Sequence, residues 1–385
     1  MQGYYFGKRE LIDGRRKQMI IMDIKVDNLY AFQNFHMNMS YPKKIVNSTV
    51  IGEYLDGYPN FRYKKVNIIM GGNATGKTSL GKLLMRFANY FKDGNYNRFT
   101  KIISDRRRTA ELTIDFVAGE SELFRFNMRI NPKEKGDYRE EDVSICIYGT
   151  CINKKDNYEM CAKRLDSLDF YKLNYFDVDT QGWYFTYPED TYINKTYLSI
   201  EDDENYLYIL EQTLKTLDPA IREVIKVKEV DNTYAVKLNN RSVIIKEGKI
   251  TDVDMLSSGT KAGLDISYII ASLICDKHDL YYCDELFSFV NSDVEKACLS
   301  IIIDKLTERK QLFFTTHNTD ILDMQLPKHS FSFLKKDADD IEMPIKCVNA
   351  ADYLKRNTDS LKHAVENDLF STVPDLDRLY EIAQL

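Results

Sequence analysis

The sequence lacks the features of a secreted or membrane-spanning protein. Its seven cysteines include no C-x-x-C pair, and an odd number scattered along 385 residues argues against a disulfide framework or a zinc site. The longest apolar run worth testing as a membrane span, residues 266–275, is far shorter than the roughly 20 residues that a bilayer needs. The charged N-terminus has no apolar signal-peptide core. These absences predict a cytoplasmic protein that does not contact membranes.

A net positive charge is also missing. The chain has 53 Lys and Arg against 59 Asp and Glu, a formal net charge of −6, so any contact with nucleic acid must be local. Short basic runs at residues 15–17 and 106–108 permit such contact, but a solvated surface is the more common reading of such runs. A hydrophobic content of 44% predicts a buried core, in one large α/β domain or two smaller ones.

Hydrophobic patterning predicts an α/β fold. Alternating residues from Met19 predict a β-hairpin, and residues 110–130 and 142–149 predict further antiparallel strands. The final third alternates buried strands with helices. Between them the pattern weakens, which suggests an inserted or partner-facing region. The resulting division has four segments, namely an N-terminal appendage 1–18, an N-terminal lobe 19–150, an insert 151–204 and a C-terminal lobe 205–385.

A glycine-rich loop lies between a predicted strand, Val66–Met70, and a predicted helix, Thr78–Phe91. Such a loop lets backbone N–H groups surround a triphosphate, and the helix N-terminus adds its positive end. Lys77 is predicted to bridge the β- and γ-phosphates, and the Thr78 hydroxyl to bind Mg²⁺. The sequence therefore predicts a site for ATP with Mg²⁺, made of Gly71, Gly72, Asn73, Ala74, Thr75, Gly76, Lys77, Thr78 and Ser79.

Two later segments add polar residues where predicted strands end. Asp284 and Glu285 follow the apolar run 280–283, and His317 follows the strand 311–316. Ligands of α/β sheets bind at these strand ends. We expect Asp284 to bind Mg²⁺, Glu285 to act as the general base for the attacking water, and His317 to contact the γ-phosphate or orient that water.

Two further loops are weaker signals. Ser257, Ser258 and Gly259 precede a predicted helix and could form a second anion site, although an ordinary serine cap is the more common explanation of such a loop. The run 153–156 (NKKD) matches the guanine-reading motif of GTPases. No D-x-x-G segment separates Thr78 from that run, so ATP remains the expected nucleotide.

These motifs, in this order, resemble the ABC-type ATPases of the SMC, RecF and OLD group. They resemble in particular the AAA_15/AAA_21-type ATPases of bacterial anti-phage systems such as PARIS or Septu. The resemblance implies a P-loop NTPase of the ABC-ATPase head type, with a mixed core sheet, an antiparallel β subdomain and a helical or irregular insert. It identifies 71–79 as Walker A, 256–260 as the signature, 281–285 as Walker B, 291–293 as the D-loop and 315–320 as the H-loop.

The resemblance also implies how such a protein acts. Two heads enclose two nucleotides, so Ser257 and Gly259 are expected to act on the nucleotide of a second copy, in a homodimer or higher oligomer. Ser258 and Asp293 are also expected to take part in nucleotide binding. Slow ATP hydrolysis is then expected to control a separate effector, such as a TOPRIM or HNH nuclease, with DNA or a phage protein as the trigger. A RecF-like DNA-binding ATPase in repair is the alternative. No glutamine loop can be assigned, and the insert matches nothing in these ATPases.

Overall fold

The computed structural model describes residues 18–44, 48–167, 171–173, 182–187, 204–337, 339–356, 359–370 and 377–382. Nearly all of the predicted appendage, including the basic run 15–17, lies outside these ranges, as does much of the predicted insert. The strands are β1 (Met19–Asp27), β2 (Phe35–Asn38), β3 (Tyr54–Leu55), β4 (Tyr58–Arg62), β5 (Val66–Met70), β6 (Ala110–Ala118), β7 (Glu122–Ile130), β8 (Val143–Cys151), β9 (Tyr171–Leu173), β10 (Trp183–Thr186), β11 (Ile221–Lys226), β12 (Tyr234–Leu238), β13 (Ser242–Lys246), β14 (Lys249–Ile250), β15 (Leu280–Asp284), β16 (Gln311–Thr315), β17 (Phe331–Lys336) and β18 (Ile345–Asn349). The α-helices are α1 (Lys77–Asp93), α2 (Asn97–Thr100), α3 (Tyr158–Asp166), α4 (Glu204–Leu217), α5 (Ser258–Ile274), α6 (Ser292–Lys305), α7 (Ala350–Tyr353), α8 (Leu361–Glu366) and α9 (Asp377–Ile382).

A six-stranded sheet forms the centre of the fold, in the order β10-β15-β16-β5-β17-β18. The first five strands are parallel and β18 is antiparallel. β5, β15 and β16 are adjacent, so their carboxyl ends meet at one edge. The predicted strand–loop–helix unit is confirmed, with α1 directly after the glycine loop. At this edge lie the predicted catalytic and metal-binding residues Lys77, Thr78, Asp284, Glu285 and His317.

The two faces of the central sheet pack against different layers because neighbouring side chains on a strand point to opposite faces. On β15, Leu280 and Tyr282 belong to the core shared with α1, whereas Tyr281 and Cys283 belong to the core shared with α5 and α6. α1 presents the predicted apolar face, including Leu80 and Phe87, to the first of these cores. Both faces are covered, which explains why the parallel strands are almost wholly apolar.

An antiparallel sheet, ordered β2-β1-β6-β7-β8-β9, packs against α1. It confirms the predicted hairpin from Met19 and the predicted antiparallel strands on either side of Gly119, which has φ 69° at the turn. A bulge lies between Ile21 and Asp23 on β1. There the buried Gln311 amide accepts from Ile21 N at 2.7 Å and donates to Ile21 O at 2.9 Å, which joins this sheet to β16.

A four-stranded sheet, β11-β12-β13-β14, packs with α4 against the outer side of α5. The predicted strand pair turning at residues 239–240 is confirmed by the β12–β13 register. α5 lies between this layer and the central sheet and is buried on every side from Thr260 to Leu273. Its apolar sequence is therefore that of an internal helix. No described helix is long and apolar enough to cross a membrane.

One strand of the central sheet lies within the segment that the sequence analysis treats as an insert. β10 pairs with β15 in parallel, Trp183 opposite Leu280 and Thr186 opposite Cys283. The side chain of Trp183 is buried in the core shared with α1. This part of residues 151–204 therefore belongs to the core. Its sequence, WYFT, is too short and too isolated among polar residues to predict a strand.

Candidate active site

The loop after β5 turns through left-handed backbone. Gly71 and Gly76 have φ of 157° and 98°, and Ala74 between them has φ 59°. A Cβ atom on Gly71 would lie 2.4 Å from the carbonyl oxygen of Leu334 on β17. Glycine is therefore required where the loop leaves the sheet. No side chain caps the N-terminus of α1, so its first N–H groups are available to an anion.

The other loop residues shape its rim. The buried Thr75 donates to Gly72 O at 2.9 Å and so closes the turn internally. Asn73 is exposed at the tip, and Ser79 is half-buried in the first turn of α1. The predicted loop therefore has the backbone shape of a phosphate-binding turn, with its polar side chains around the rim.

Lys77 begins α1 and its ammonium group lies over the loop. Nζ donates to Gly71 O at 2.9 Å and to Gly72 O at 3.1 Å, and lies 3.6 Å from Glu285 Oε1. Burial lowers the pKa of Lys77, and the carboxylates of Glu285 and Asp284 oppose that shift. A buried cation with a nearby carboxylate at a helix N-terminus is suited to the charge of a phosphate group.

Asp284 ends β15 and is fully buried. Its Oδ2 accepts from the Thr78 hydroxyl at 2.5 Å, and its Oδ1 accepts from the Thr315 hydroxyl at 2.7 Å. Burial raises its pKa, the two threonine hydrogen bonds lower it, and the charge of Glu285 raises it further. Within the described part of the chain, Asp284 forms no ion pair, so its buried charge has no directly bound protein cation.

These residues fit a divalent cation. Mg²⁺ prefers oxygen ligands and commonly takes one or two from the protein and the others from phosphates and water. The Thr78 hydroxyl and the Asp284 carboxylate, already in contact, supply such a pair at the mouth of the phosphate loop. Among the described residues, no group of three or more His, Cys, Asp and Glu could hold a metal ion. With two oxygen ligands from the protein, the pair suits a cation whose other ligands come from phosphates and water.

Glu285 has φ 47°, a left-handed conformation that turns the chain away from β15. Its N–H donates to the Thr315 hydroxyl at 2.9 Å, and its Oε1 lies 2.8 Å from Nε2 of His317. The hydrogen bond with His317 is the main cause that lowers the pKa of Glu285, and burial partly offsets it. Glu285 therefore lies, as a carboxylate, in direct contact with the imidazole of His317 at the end of β15.

His317 completes a cluster that joins three strand ends. Its Nε2 lies 3.1 Å from Lys77 Nζ as well as 2.8 Å from Glu285, and its side chain is 41% exposed. The structure thus brings together Lys77, Thr78, Asp284, Glu285 and His317. The predicted catalytic and metal-binding residues are all within this cluster.

The predicted signature and D-loop residues make contacts with other parts of the chain and not with that cluster. Ser257 caps α5 by accepting from Thr260 N at 3.1 Å, and Ser258 is the first helical residue. Gly259 lies against the next loop, because a Cβ atom there would be 2.8 Å from Phe289 O. Asp293, whose side chain is 89% exposed, pairs with Lys296 at 3.0 Å. These contacts all lie within the chain and do not reach the cluster, and the predicted role of these residues in nucleotide binding stays a prediction.

Two alternative motifs have structural roles. Asp156, in the run that resembles a guanine-reading motif, accepts from Asn153 N at 2.7 Å and pairs with Arg164 at 2.5 Å. It is buried and serves the turn before α3. In the basic run 106–108, Arg107 pairs with Asp105 at 3.1 Å, and the other two arginines also contact neighbouring residues. Both motifs are occupied by contacts within the chain.

Sequence reasoning missed residues that position the site. Thr315 lies in the segment that resembles the H-loop, but its contacts with both acidic residues were not predicted. Gly81 lets α1 approach β15, since a Cβ atom there would lie 2.4 Å from the Tyr282 ring. The Tyr282 hydroxyl in turn donates to Lys77 O at 2.6 Å. The one available signal was a glycine at an inward position of an otherwise apolar helix face.

No protein-family model and no curated protein sequence matches this chain. Solved structures do match. An SMC head bound to the C-terminal winged-helix domain of ScpA has 14% identity and a TM-score of 0.50, with 90% of this chain and 99% of that chain covered. The SMC head domain from Thermotoga maritima has 13% identity and a TM-score of 0.41, covering 86% and 98%. RecF with ATP has 14% identity and a TM-score of 0.37, covering 80% and 94%.

The first of these similarities, together with the architecture described above, establishes the fold. The chain has the P-loop fold of an ABC-ATPase head, with a mixed central sheet and an antiparallel subdomain. The predicted fold class is confirmed. At 14% identity the similarity says nothing further about substrate or partner.

Proposed function

We propose that the chain binds ATP with Mg²⁺ and hydrolyses it to ADP and phosphate. The observation that supports this most is the hydrogen-bonded cluster at the ends of three parallel strands. In it a buried lysine, a hydroxyl–carboxylate pair and a carboxylate–imidazole pair lie around one helix N-terminus. Phosphoryl transfer needs chiefly positioning and charge stabilisation, and these groups supply both.

Each residue has a separate role in this proposal. Lys77 and the N–H groups of the loop and α1 bind the phosphates. Thr78 and Asp284 hold Mg²⁺, which neutralises phosphate charge when it is bound. Glu285 takes the proton from the attacking water, and His317, in contact with both Glu285 and Lys77, keeps that carboxylate directed towards the phosphate side of the site.

We further propose that a second copy of the chain completes the site. Ser257, Ser258, Gly259 and Asp293 make local contacts in their own chain, and Asp293 is exposed. The Ser257 loop opens a 17-residue helix, which can receive a phosphate from outside. ATP would therefore favour a homodimer or a higher oligomer.

At the cellular level we propose a cytoplasmic switch in anti-phage defence that controls a separate effector, such as a TOPRIM or HNH nuclease. The described residues have the fold of an ABC-ATPase head, and among them no group of three or more His, Cys, Asp and Glu could hold the metal ions of a nuclease. The RecF-like repair alternative rests on local basic runs; in the run 106–108 each arginine makes contacts within the chain, and no feature of the run is specific for nucleic acid.

Affinity purification of tagged Glu285→Gln protein from its native host tests this switch. We expect that variant to retain ATP in the assembled state and to carry the effector at fixed stoichiometry, as seen by mass spectrometry. Lys77→Ala is the matched control, because it should not form the ATP-bound state. Nuclease-sensitive nucleic acid without a protein partner would support the repair alternative instead, and a wild-type protein that cuts nucleic acid alone would contradict a separate effector.

A further inference from the structure

A buried carboxylate lies behind His317, outside the residues assigned to the site. Glu295 is in the first turn of α6 and is only 2% exposed. Within the described ranges it forms no ion pair, although a buried carboxylate is costly unless it is well hydrogen-bonded. A first-turn glutamate could serve the helix dipole equally well while exposed. Its burial therefore calls for another explanation.

Both oxygens of this carboxylate are bound by the residues on either side of His317. Oε1 accepts from the Thr316 hydroxyl at 2.9 Å, and Oε2 accepts from the Asn318 side-chain amide at 2.7 Å. The Thr316 hydroxyl also accepts from Asn318 N at 3.0 Å. The two residues on either side of His317 are thus held by one buried carboxylate.

Asn318 also connects this carboxylate to the predicted D-loop. Asn318 donates to the Ser292 hydroxyl at 2.9 Å, and that hydroxyl donates to Asp320 at 2.8 Å. Ser292 is the residue before Asp293 and the first residue of α6. A displacement of the α6 N-terminus would therefore reach the His317 backbone through Glu295 and Asn318 without passing through the nucleotide.

We propose that Glu295 is a positioning residue that holds His317 in place through Thr316 and Asn318 and couples it to the N-terminus of α6. This inference rests on the proposed ATPase function. Glu295 does not touch the reacting groups. It fixes the backbone from which His317 reaches Glu285. The His317–Glu285 contact then depends on the position of the α6 N-terminus, which includes Asp293, where a second copy would bind.

The test compares four variants in the full chain. Glu295→Ala removes both hydrogen bonds. Glu295→Gln keeps an oxygen that accepts from the Asn318 amide, and its own NH₂ group can donate to the hydroxyl oxygen of Thr316. Asn318→Asp sets two carboxylates against each other, and the Asn318→Asp/Glu295→Gln double variant restores a donor–acceptor pair with one charge. Asp304→Asn, at an exposed position on the same helix, is the control.

We expect Glu295→Ala and Asn318→Asp to lower kcat on the order of 10-fold or more, since small displacements of catalytic groups have large effects. The Kd for a fluorescent ATP analogue should stay within about two-fold, because the phosphate loop is untouched. Glu295→Gln and the double variant should recover most of kcat, and Asp304→Asn should match wild type. A kcat unchanged in Glu295→Ala, or losses that simply follow melting temperature and Kd, would overturn the proposal.

A spectroscopic readout separates this proposal from the ATPase assignment. The chain has five histidines, so the ring signals of labelled protein can be assigned with a His317→Gln variant. The His317 signal should shift in Glu295→Ala and not in Asp304→Asn, whether or not ATP is present. Wild-type protein without ATPase activity would remove the proposed function and this inference with it. Active wild type with an unmoved His317 signal would remove the inference alone.

Discussion

The Thr315 hydroxyl forms hydrogen bonds with both acidic residues of the site, Asp284 and Glu285. It donates to Asp284 Oδ1 at 2.7 Å and accepts from Glu285 N at 2.9 Å, and the residue is fully buried. Thr315→Val keeps the shape of the side chain and removes only these two bonds. Thr315→Ser keeps the hydroxyl and removes a methyl group. The two variants therefore separate hydrogen bonding from packing at one position.

The magnitudes differ enough to be measured. A hydrogen bond to a charged group contributes about 1.5–3 kcal/mol, whereas a buried methyl group contributes about 1 kcal/mol. Glu285 N also has Thr315 O within 3.2 Å, so its N–H keeps one partner in the valine variant. We therefore expect Thr315→Val to cost about 2–3 kcal/mol of stability and Thr315→Ser about 1 kcal/mol.

Activity should separate the two variants more sharply than stability does. Without its hydroxyl partner the Asp284 carboxylate can rotate away from Thr78. We therefore expect a lower Mg²⁺ affinity, seen as a higher half-saturating Mg²⁺ concentration, and a kcat lower on the order of 10-fold or more. The serine variant should remain within about three-fold of wild type. Both are measured by phosphate release over a Mg²⁺ titration, with thermal unfolding in parallel. Equal activity of the valine and serine variants would refute this role of Thr315.

Two further predictions concern packing and nucleotide choice. Gly81→Ala places a methyl group against the Tyr282 ring, so it should destabilise the protein by about 1–3 kcal/mol and weaken ATP binding, despite the higher helix propensity of alanine. Thermal unfolding and ATP titration measure the two effects. Unchanged values would contradict the close α1–β15 packing. Asp156→Ala should lower the free energy of unfolding by about 1–3 kcal/mol, because it removes the contacts with Arg164 and Asn153, and should leave the preference for ATP over GTP unchanged. A changed preference in competition binding would restore the guanine-reading interpretation.

The sequence was most informative where local chemistry determines local structure. The glycine loop lies between a buried strand and an amphipathic helix, and both are where the patterning places them. The acidic pair and His317 follow strands whose ends meet because adjacent strands in this sheet are parallel. Their convergence could thus be predicted from strand ends alone.

Long-range pairings could not be predicted in the same way. β10 is four residues long and becomes a core strand only through its pairing with β15, nearly 100 residues later along the chain. Gln311 has the pattern of an ordinary strand residue, yet its side chain hydrogen-bonds the Ile21 backbone, 290 residues earlier in the chain, beside a bulge in β1. Glu295 likewise has the pattern of a surface helix residue. Its burial depends on a loop that arrives from β16.

The central claim is that one site binds ATP through Lys77 and hydrolyses it through Glu285. The most direct test is a single-turnover experiment with radiolabelled ATP and Mg²⁺ that measures bound ATP and released phosphate in the same samples. We expect wild type to bind and release phosphate, Glu285→Gln to bind comparably with phosphate release lower on the order of 100-fold, and Lys77→Ala to bind no ATP. Phosphate release by Glu285→Gln at the wild-type rate, or ATP binding by Lys77→Ala at the wild-type level, would contradict the account.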